Sequence, residues 1–248
     1  MAILTQSIPR TPPPAIATFN FTDIASQTGY VTFFGSKGDD GEYIASQVSV
    51  ASEEITTFIE DQNITTSFVK FFDIDFDITF NLPRDIKGDL IASIPMGISA
   101  ASATAAVFSF FCVVKAVHYD GNTETVIGTW QSKTTIATIE TDIVSFRART
   151  HLLKVNIGTL KHFKRDETVR IIVEVWYKRD TASGPAHIMI GHDPLGRLFD
   201  PENPEEPYPD GVTSGIRLAN EIEGGGGGGT IVDITTKMEF QVPFRIDL

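Results

Sequence analysis

The sequence predicts an all-β protein: an antiparallel two-sheet sandwich of jelly-roll type, preceded by an extended N-terminal arm. Two segments alternate strictly between apolar and polar residues. In the first, Phe72, Ile74, Phe76, Ile78, Phe80 and Leu82 share one parity, while Asp73, Asp75, Asp77, Thr79 and Asn81 hold the other. In the second, Val232, Ile234, Met238, Phe240, Val242, Phe244, Ile246 and Leu248 alternate with mostly polar residues. A period of two puts one face on a core and leaves the other wet, whereas a helix would scatter the same side chains around its circumference. Composition agrees, with 18 Phe beside 4 Met and abundant Thr, Ile and Val, residues that fit a pleated, half-buried surface.

Along the chain, residues 1–18 form the arm, because Pro12, Pro13 and Pro14 favour polyproline geometry and cannot donate ladder hydrogen bonds. Residues 19–248 form a single domain, with short strand candidates at Tyr30–Phe34, Tyr43–Val50, Ile136–Ile139, Leu152–Ile157 and His187–Ile190. Ser52–Glu60 is the one place where a helical turn is expected, limited by its β-branched residues. Ala105–Tyr119 is apolar on both parities, as a strand covered on both faces would be. Asp120-Gly-Asn122 then turns the chain, and Thr123–Gln131 returns as the hairpin partner. From Val169 to Lys178 the parity splits again, with Val169, Ile171, Val173, Val175 and Tyr177 opposite Arg170, Ile172, Glu174, Trp176 and Lys178. Five prolines and several acids make residues 193–210 an exposed loop. Residues 220–229, which hold six consecutive glycines, form a second loop before the final strand. Pro243 falls on that strand's polar parity and marks an edge or a bulge.

Composition narrows the function. Twenty Lys and Arg against 32 Asp and Glu leave a net charge of −12, with no basic cluster to neutralise phosphates, so nucleic acid is not an expected partner. A membrane partner is not expected either. Leu90–Val114 is uncharged and long enough to span a bilayer, but Pro95, Gly97 and flanking β signals favour a buried strand entered by a small-residue loop. The first ten residues have neither the basic start nor the apolar stretch of a signal peptide. Cys112, the lone cysteine, lies in an apolar run and reads as a small buried hydrophobe.

Catalytic templates were sought and not found: there is no His-Glu-x-x-His, Gly-x-Ser-x-Gly, Cys-x-x-Cys or P-loop. The expectation is therefore a chain that is not an enzyme, with no cofactor and no assigned catalytic or metal residue. Calcium enters only through Asp73, Asp75 and Asp77, or through the acidic turn Gly38–Glu42. A straight strand spaces such a row of carboxylates about 7 Å apart, which favours a solvated face. His187 and His192, five apart, point to opposite faces of a regular strand. For Trp176, which shares its side with charged residues, two readings stand: a sugar-stacking platform or interface anchor, or a ring covered by a loop or second sheet.

The segments Phe163–Tyr177, Phe19–Gly29 and Lys237–Ile246 together resemble virion structural proteins with jelly-roll-like sandwiches, especially those of tailed phages. That resemblance implies a capsid, decoration or fibre-associated component located in the virion, oligomeric, with other virion proteins as partners. The resemblance transfers no functional residue; the proline arm and the aromatics of the strand give Pro12, Pro13, Pro14, Trp176 and Tyr177 as a candidate interaction surface. The competing reading is a carbohydrate-binding or adhesion module built on exposed aromatics.

Overall fold

The computed structural model describes residues 28–38, 41–49, 54–61, 66–100, 106–139, 147–181, 186–196 and 237–245. Twelve strands and no helix occur among them: β1 (Thr28–Lys37), β2 (Tyr43–Ser46), β3 (Thr56–Asp61), β4 (Val69–Thr79), β5 (Arg84–Ala100) and β6 (Ala106–Tyr119) come first. They are followed by β7 (Glu124–Gln131), β8 (Thr135–Ile139), β9 (Arg147–Phe163), β10 (Thr168–Thr181), β11 (Ala186–Gly191) and β12 (Glu239–Arg245). The all-β class is what the alternation predicts. The arm, the glycine tract and the proline-rich loop beyond residue 196 lie outside the described residues.

Two long antiparallel pairs organise the molecule. β5 runs along β9 on one edge and shares its other edge between β12 and β11. β6 runs along β10 and shares its other edge between β7 and β8. The two sets are joined through β1, β2 and β4, giving the order β3-β11-β5-β12-β1-β2-β4-β10-β6-β7 in one hydrogen-bonded sheet. The expected pair of separate antiparallel sheets is therefore not what the ladder forms. β2 bridges the halves and meets β4 in parallel at Ile44 and Asp77, so the sheet is continuous and mixed.

The sheet nevertheless turns its apolar face onto itself. Phe76 of β4 lies 5.2 Å, centroid to centroid, from Phe240 of β12, which is not its neighbour in the ladder. Phe80 just beyond β4 packs edge-on to Phe163 of β9 at 5.4 Å, and His118 of β6 sits 4.2 Å from that same ring. Alternation decides which side chains enter: Ile74, Phe76 and Ile78 are buried while Asp73, Asp75 and Asp77 are not. Val169, Ile171, Val173, Val175 and Tyr177 are fully buried on β10. Each large apolar side chain removed from water contributes about 1.5–3 kcal/mol.

Several local expectations are corrected. Ser52–Glu60 forms no helical turn in its described part; Thr56 onward is β3, held by pairing with β11, which suits its β-branched residues. The uncharged stretch 90–114 holds parts of two strands, with β5 reaching Ala100 and β6 starting at Ala106. No helix among the described residues is long and apolar enough to cross a membrane. Leu82, on the apolar parity, is exposed because β4 has already ended at Thr79. Pro243 does mark a bulge, since the β12–β5 register shifts between Gln241 and Phe244, but β12 lies between β1 and β5 and is not an edge.

Candidate functional site

β10 lies between β4 and β6, so its outward parity forms the centre of an exposed face. Arg170 donates from Nε and Nη2 to the two carboxylate oxygens of Asp77, at 2.7 and 2.8 Å, and from Nη1 to Glu124. Its guanidinium also lies 5.0 Å from the centroid of Tyr119. The hydrogen bonds that it donates to Asp77 hold Arg170 firmly in its charged form. Asp73 accepts from Lys70 at 2.8 Å. Asp75, though exposed, has its carboxyl pushed above the ordinary carboxylate range, first by partial desolvation from its neighbours, with Asp73 and Asp77 adding to the effect against the lowering influence of Arg170. Two of the three aspartates are thus engaged in ion pairs, Asp77 across to β10 and Asp73 with Lys70 of its own strand. Among the described residues, no group of three or more His, Cys, Asp and Glu is arranged to hold a metal ion. The Gly38–Glu42 turn is only partly described, because Asp39 and Asp40 lie outside the described residues.

Trp176 stands on this outer face, as its parity requires, but it is half-buried. Its ring stacks on Phe111 with centroids 6.0 Å apart and planes 7° from parallel, and its indole N–H donates to Glu174 Oε2 at 3.1 Å. Glu174 also accepts from Lys115 at 2.5 Å. Phe68 packs on Phe111 at 4.9 Å, under the ammonium of Lys178. Tyr177 is different: with 0 % exposure it belongs to the core and presents no surface to a partner. Successive residues of a strand point to opposite faces, so these two aromatics are divided by the pleat. Pro12, Pro13 and Pro14 lie outside the described residues.

Large apolar side chains are also exposed on β7 and β8. Val126 and Ile136 stand opposite Val117 and Ser109 on the outer parity of β6, and Trp130 stands opposite Val114 on the inner one. Val126 is 57 %, Trp130 55 % and Ile136 63 % exposed. Both strands take β6 as their ladder partner, one after the other along its edge. Ser132 closes the joint: its N–H donates to the Cys112 carbonyl at 2.9 Å, and its hydroxyl accepts from the Cys112 N–H at 3.1 Å. Gly128 allows β7 to approach β9, since an added Cβ there would stand 2.9 Å from Val155 Cγ1 and 3.0 Å from the Asn156 carbonyl oxygen. Sequence reasoning placed Thr123–Gln131 as a hairpin strand but did not single out Trp130. The alternation of a strand does not tell whether a third strand covers it.

A second cluster, also missed, gathers around His192. The hydroxyls of Tyr43 and Thr57 lie 2.5 Å apart, and Thr57 Oγ1 lies 3.0 Å from His192 Nε2. Tyr43 packs edge-on to the imidazole at 5.5 Å, and Lys37 pairs with Glu54 close by. His192 is fully buried, and its N–H donates to the Ile55 carbonyl at 2.9 Å. Burial, reinforced by Lys37, pushes its pKa down to about 4. The imidazole is therefore neutral at ordinary pH. A hydroxyl–hydroxyl–imidazole row of this kind can pass a proton along itself. A base that activates a nucleophile is usually oriented through its second nitrogen, whereas His192 Nδ1 has no hydrogen-bond partner.

No known protein family and no curated protein sequence matches the chain. Its strands do align with solved structures at low identity. A CocE/NonD family hydrolase from Staphylococcus aureus aligns over 88% of this chain and 36% of its own, at 10% identity and a TM-score of 0.43. An aminopeptidase from a marine sediment Thaumarchaeota archaeon aligns over 89% of this chain and 37% of its own, at 9% identity and a TM-score of 0.45. The subviral particle of infectious bursal disease virus aligns over 82% of this chain and 40% of its own, at 8% identity and a TM-score of 0.28. The chain spans little more than a third of the length of the first of these. The expectation that the chain is not an enzyme is corrected here, because a hydrolase and an aminopeptidase stand among its structural neighbours beside the viral particle. No residue role passes to this chain at such identities.

Proposed function

We propose that the chain is a structural component of a virus particle, of the capsid, decoration or fibre-associated kind, which assembles with copies of itself and with other proteins of the particle. The observation that carries this reading is the β7–β8 edge, where Val126, Trp130 and Ile136 are each more than half exposed. Soluble proteins commonly protect sheet edges with charge, proline or a covering element, because open edges recruit further strands. Here three large apolar side chains stand on two short edge strands instead. A Trp with exposed surface is also the residue type most often found to anchor a protein interface. A second copy of this chain is the occupant proposed for that edge, and the net charge of −12 gives phosphate surfaces no part in it.

The test is the mass in solution of the full chain and of a Trp130→Glu, Ile136→Lys double variant, by light scattering over a concentration series. A defined oligomer that dissociates at higher concentration in the variant supports the reading. A chain that stays monomeric to its solubility limit and does not associate with purified particles removes it. A chain lacking residues 1–18, measured alongside, separates the contribution of the arm from that of the edge.

A further inference from the structure

Around residues 96–100 of β5, the ladder runs β9-β5-β11-β3. The registers align these strands row by row. Arg147 stands level with Ile98, Ile188 and Ile59, and Arg149 with Met96, Ile190 and Thr57. Asp61 lies two positions beyond Ile59, level with Ala186 and Ala100, and so shares the parity of Arg147. Both outer strands are edges: among the described residues β3 pairs with β11 alone, and β9 with β5 alone. The close approach of β7 to β9, at Gly128, falls farther along, beside Val155 and Asn156.

These two edges carry opposite charge. In a chain of net charge −12, β9 holds Arg147, Arg149, Lys154 and Lys161 and no acid. Lys154 and His162 are engaged by Asp89 and Asp85 of β5, whereas Arg149 is exposed and enters no ion pair among the described residues. β3 ends in Glu60 and Asp61 and holds no base. Charge on an edge strand keeps it from pairing with its own kind. Two β9 edges would bring bases together, and two β3 edges acids. A β9 edge beside a β3 edge instead joins complementary charge.

Strand direction fits as well. β5 is antiparallel to β9 and to β11, and β11 is antiparallel to β3, so β3 and β9 run in opposite directions. Simple continuation of the sheet from one copy to the next therefore sets β9 antiparallel to β3 and keeps the core-facing parity on one side. In that continuation Arg147 stands opposite Ile59, and Asp61 is its diagonal neighbour at about 7–8 Å, a spacing that long side chains bridge.

We propose that copies of this chain join head to tail through this sheet, the β9 edge of one adding to the β3 edge of the next. A contact between two different edges repeats, closing into a ring or running on as a fibre according to the rotation between copies. It is separate from the β7–β8 edge and does not depend on the function proposed above.

The experiment uses the full chain carrying Trp130→Glu and Ile136→Lys, so that the β7–β8 edge takes no part. Its mass by light scattering should still rise with concentration and fall with added salt. Adding Arg147→Glu with Arg149→Glu, or Glu60→Lys with Asp61→Lys, should weaken that association about tenfold or more, because like charges then meet. A one-to-one mixture of these two variants should associate again, since each then meets an edge of opposite charge. Loss of all association in the starting chain overturns this contact and leaves the β7–β8 edge standing. Charge variants that associate as before, or a mixture that stays monomeric, also overturn it. Should the charge variants fail to fold, hydrogen exchange on the chain without them decides. Amides of residues 56–61 and 147–151 should gain protection together as concentration rises, and protection that is unchanged or confined to one of the two strands overturns the proposal.

Discussion

Acid should destabilise this protein well above the range in which its carboxylates titrate, and two buried histidines set the size of the effect. His192 has its pKa pushed down to about 4, first by burial and then by Lys37. His151 is also pushed down to about 4, by burial with a contribution from Arg149. An unfolded histidine titrates near 6.5, so between that value and about 4 the unfolded state binds protons that the folded state refuses. Stability therefore falls as pH falls through this window. Each histidine should cost about 2 kcal/mol between about pH 7 and pH 5, or about 4 kcal/mol together. The carboxylates with lowered pKa, Asp89, Asp120, Glu167 and Asp180, lose their contribution only below about pH 4. Asp75, whose pKa is raised by partial desolvation, acts in the opposite sense, because its folded form takes up a proton first. Urea unfolding across this pH range reads the slope directly. His192→Gln should remove about half of it, and adding His151→Phe should remove most of the remainder. A native chain whose unfolding free energy is flat from about pH 7 to pH 5, or a double variant that keeps the native slope, would show that these rings are not buried neutral.

Gly128→Ala tests how tightly β7 is seated on β9. The new Cβ would meet the Asn156 carbonyl oxygen at 3.0 Å, a backbone atom that cannot rotate away, as well as Val155 Cγ1 at 2.9 Å. A loss of about 1–3 kcal/mol in urea unfolding is expected, and an unchanged midpoint would mean that β7 sits farther from β9. Cys112 is fully buried, and burial pushes its thiol up to about 12. A disulfide reagent such as Ellman's should therefore modify it only at the rate of unfolding. Rapid stoichiometric labelling of the native chain would contradict that burial.

Alternation carried most of what was legible beforehand, and its reach can be followed on β10. Parity alone placed Trp176 outside with Arg170 and Glu174, and Val175 inside, and the structure agrees with each of these. The same rule assigned Tyr177 to the inner face, so its candidacy as an interaction residue conflicted with its own parity; full burial is the consequence. One step further, it places Arg179 inside as well, a signal present in the sequence and passed over because arginine is seldom buried. What parity does not supply is the partner of a strand. Asp77 meets Arg170, and Ser132 meets Cys112, only once registers are set. The His192 cluster draws on β2, β3 and the turn after β11, elements brought together across 135 residues of sequence between Thr57 and His192, and no local pattern announces it.

The same distinction explains why the strand pattern does not tell one long sheet from two. A two-sheet sandwich and a continuous sheet folded onto itself demand the same strand pattern, because both bury one face of every strand. They differ at a single joint, which here is β2, four residues long, paired with β1 and touching β4 at Ile44 and Asp77. Ile44 is exposed at this joint, so hydrophobic burial there does little to favour the bridge. The joint instead rests on backbone pairing with β1 and on Tyr43, whose ring packs on Phe76 at 5.7 Å and whose hydroxyl meets Thr57. A short strand anchored by one aromatic side chain is enough to make two layers one sheet, and Tyr43 ties that joint directly to the buried His192 cluster.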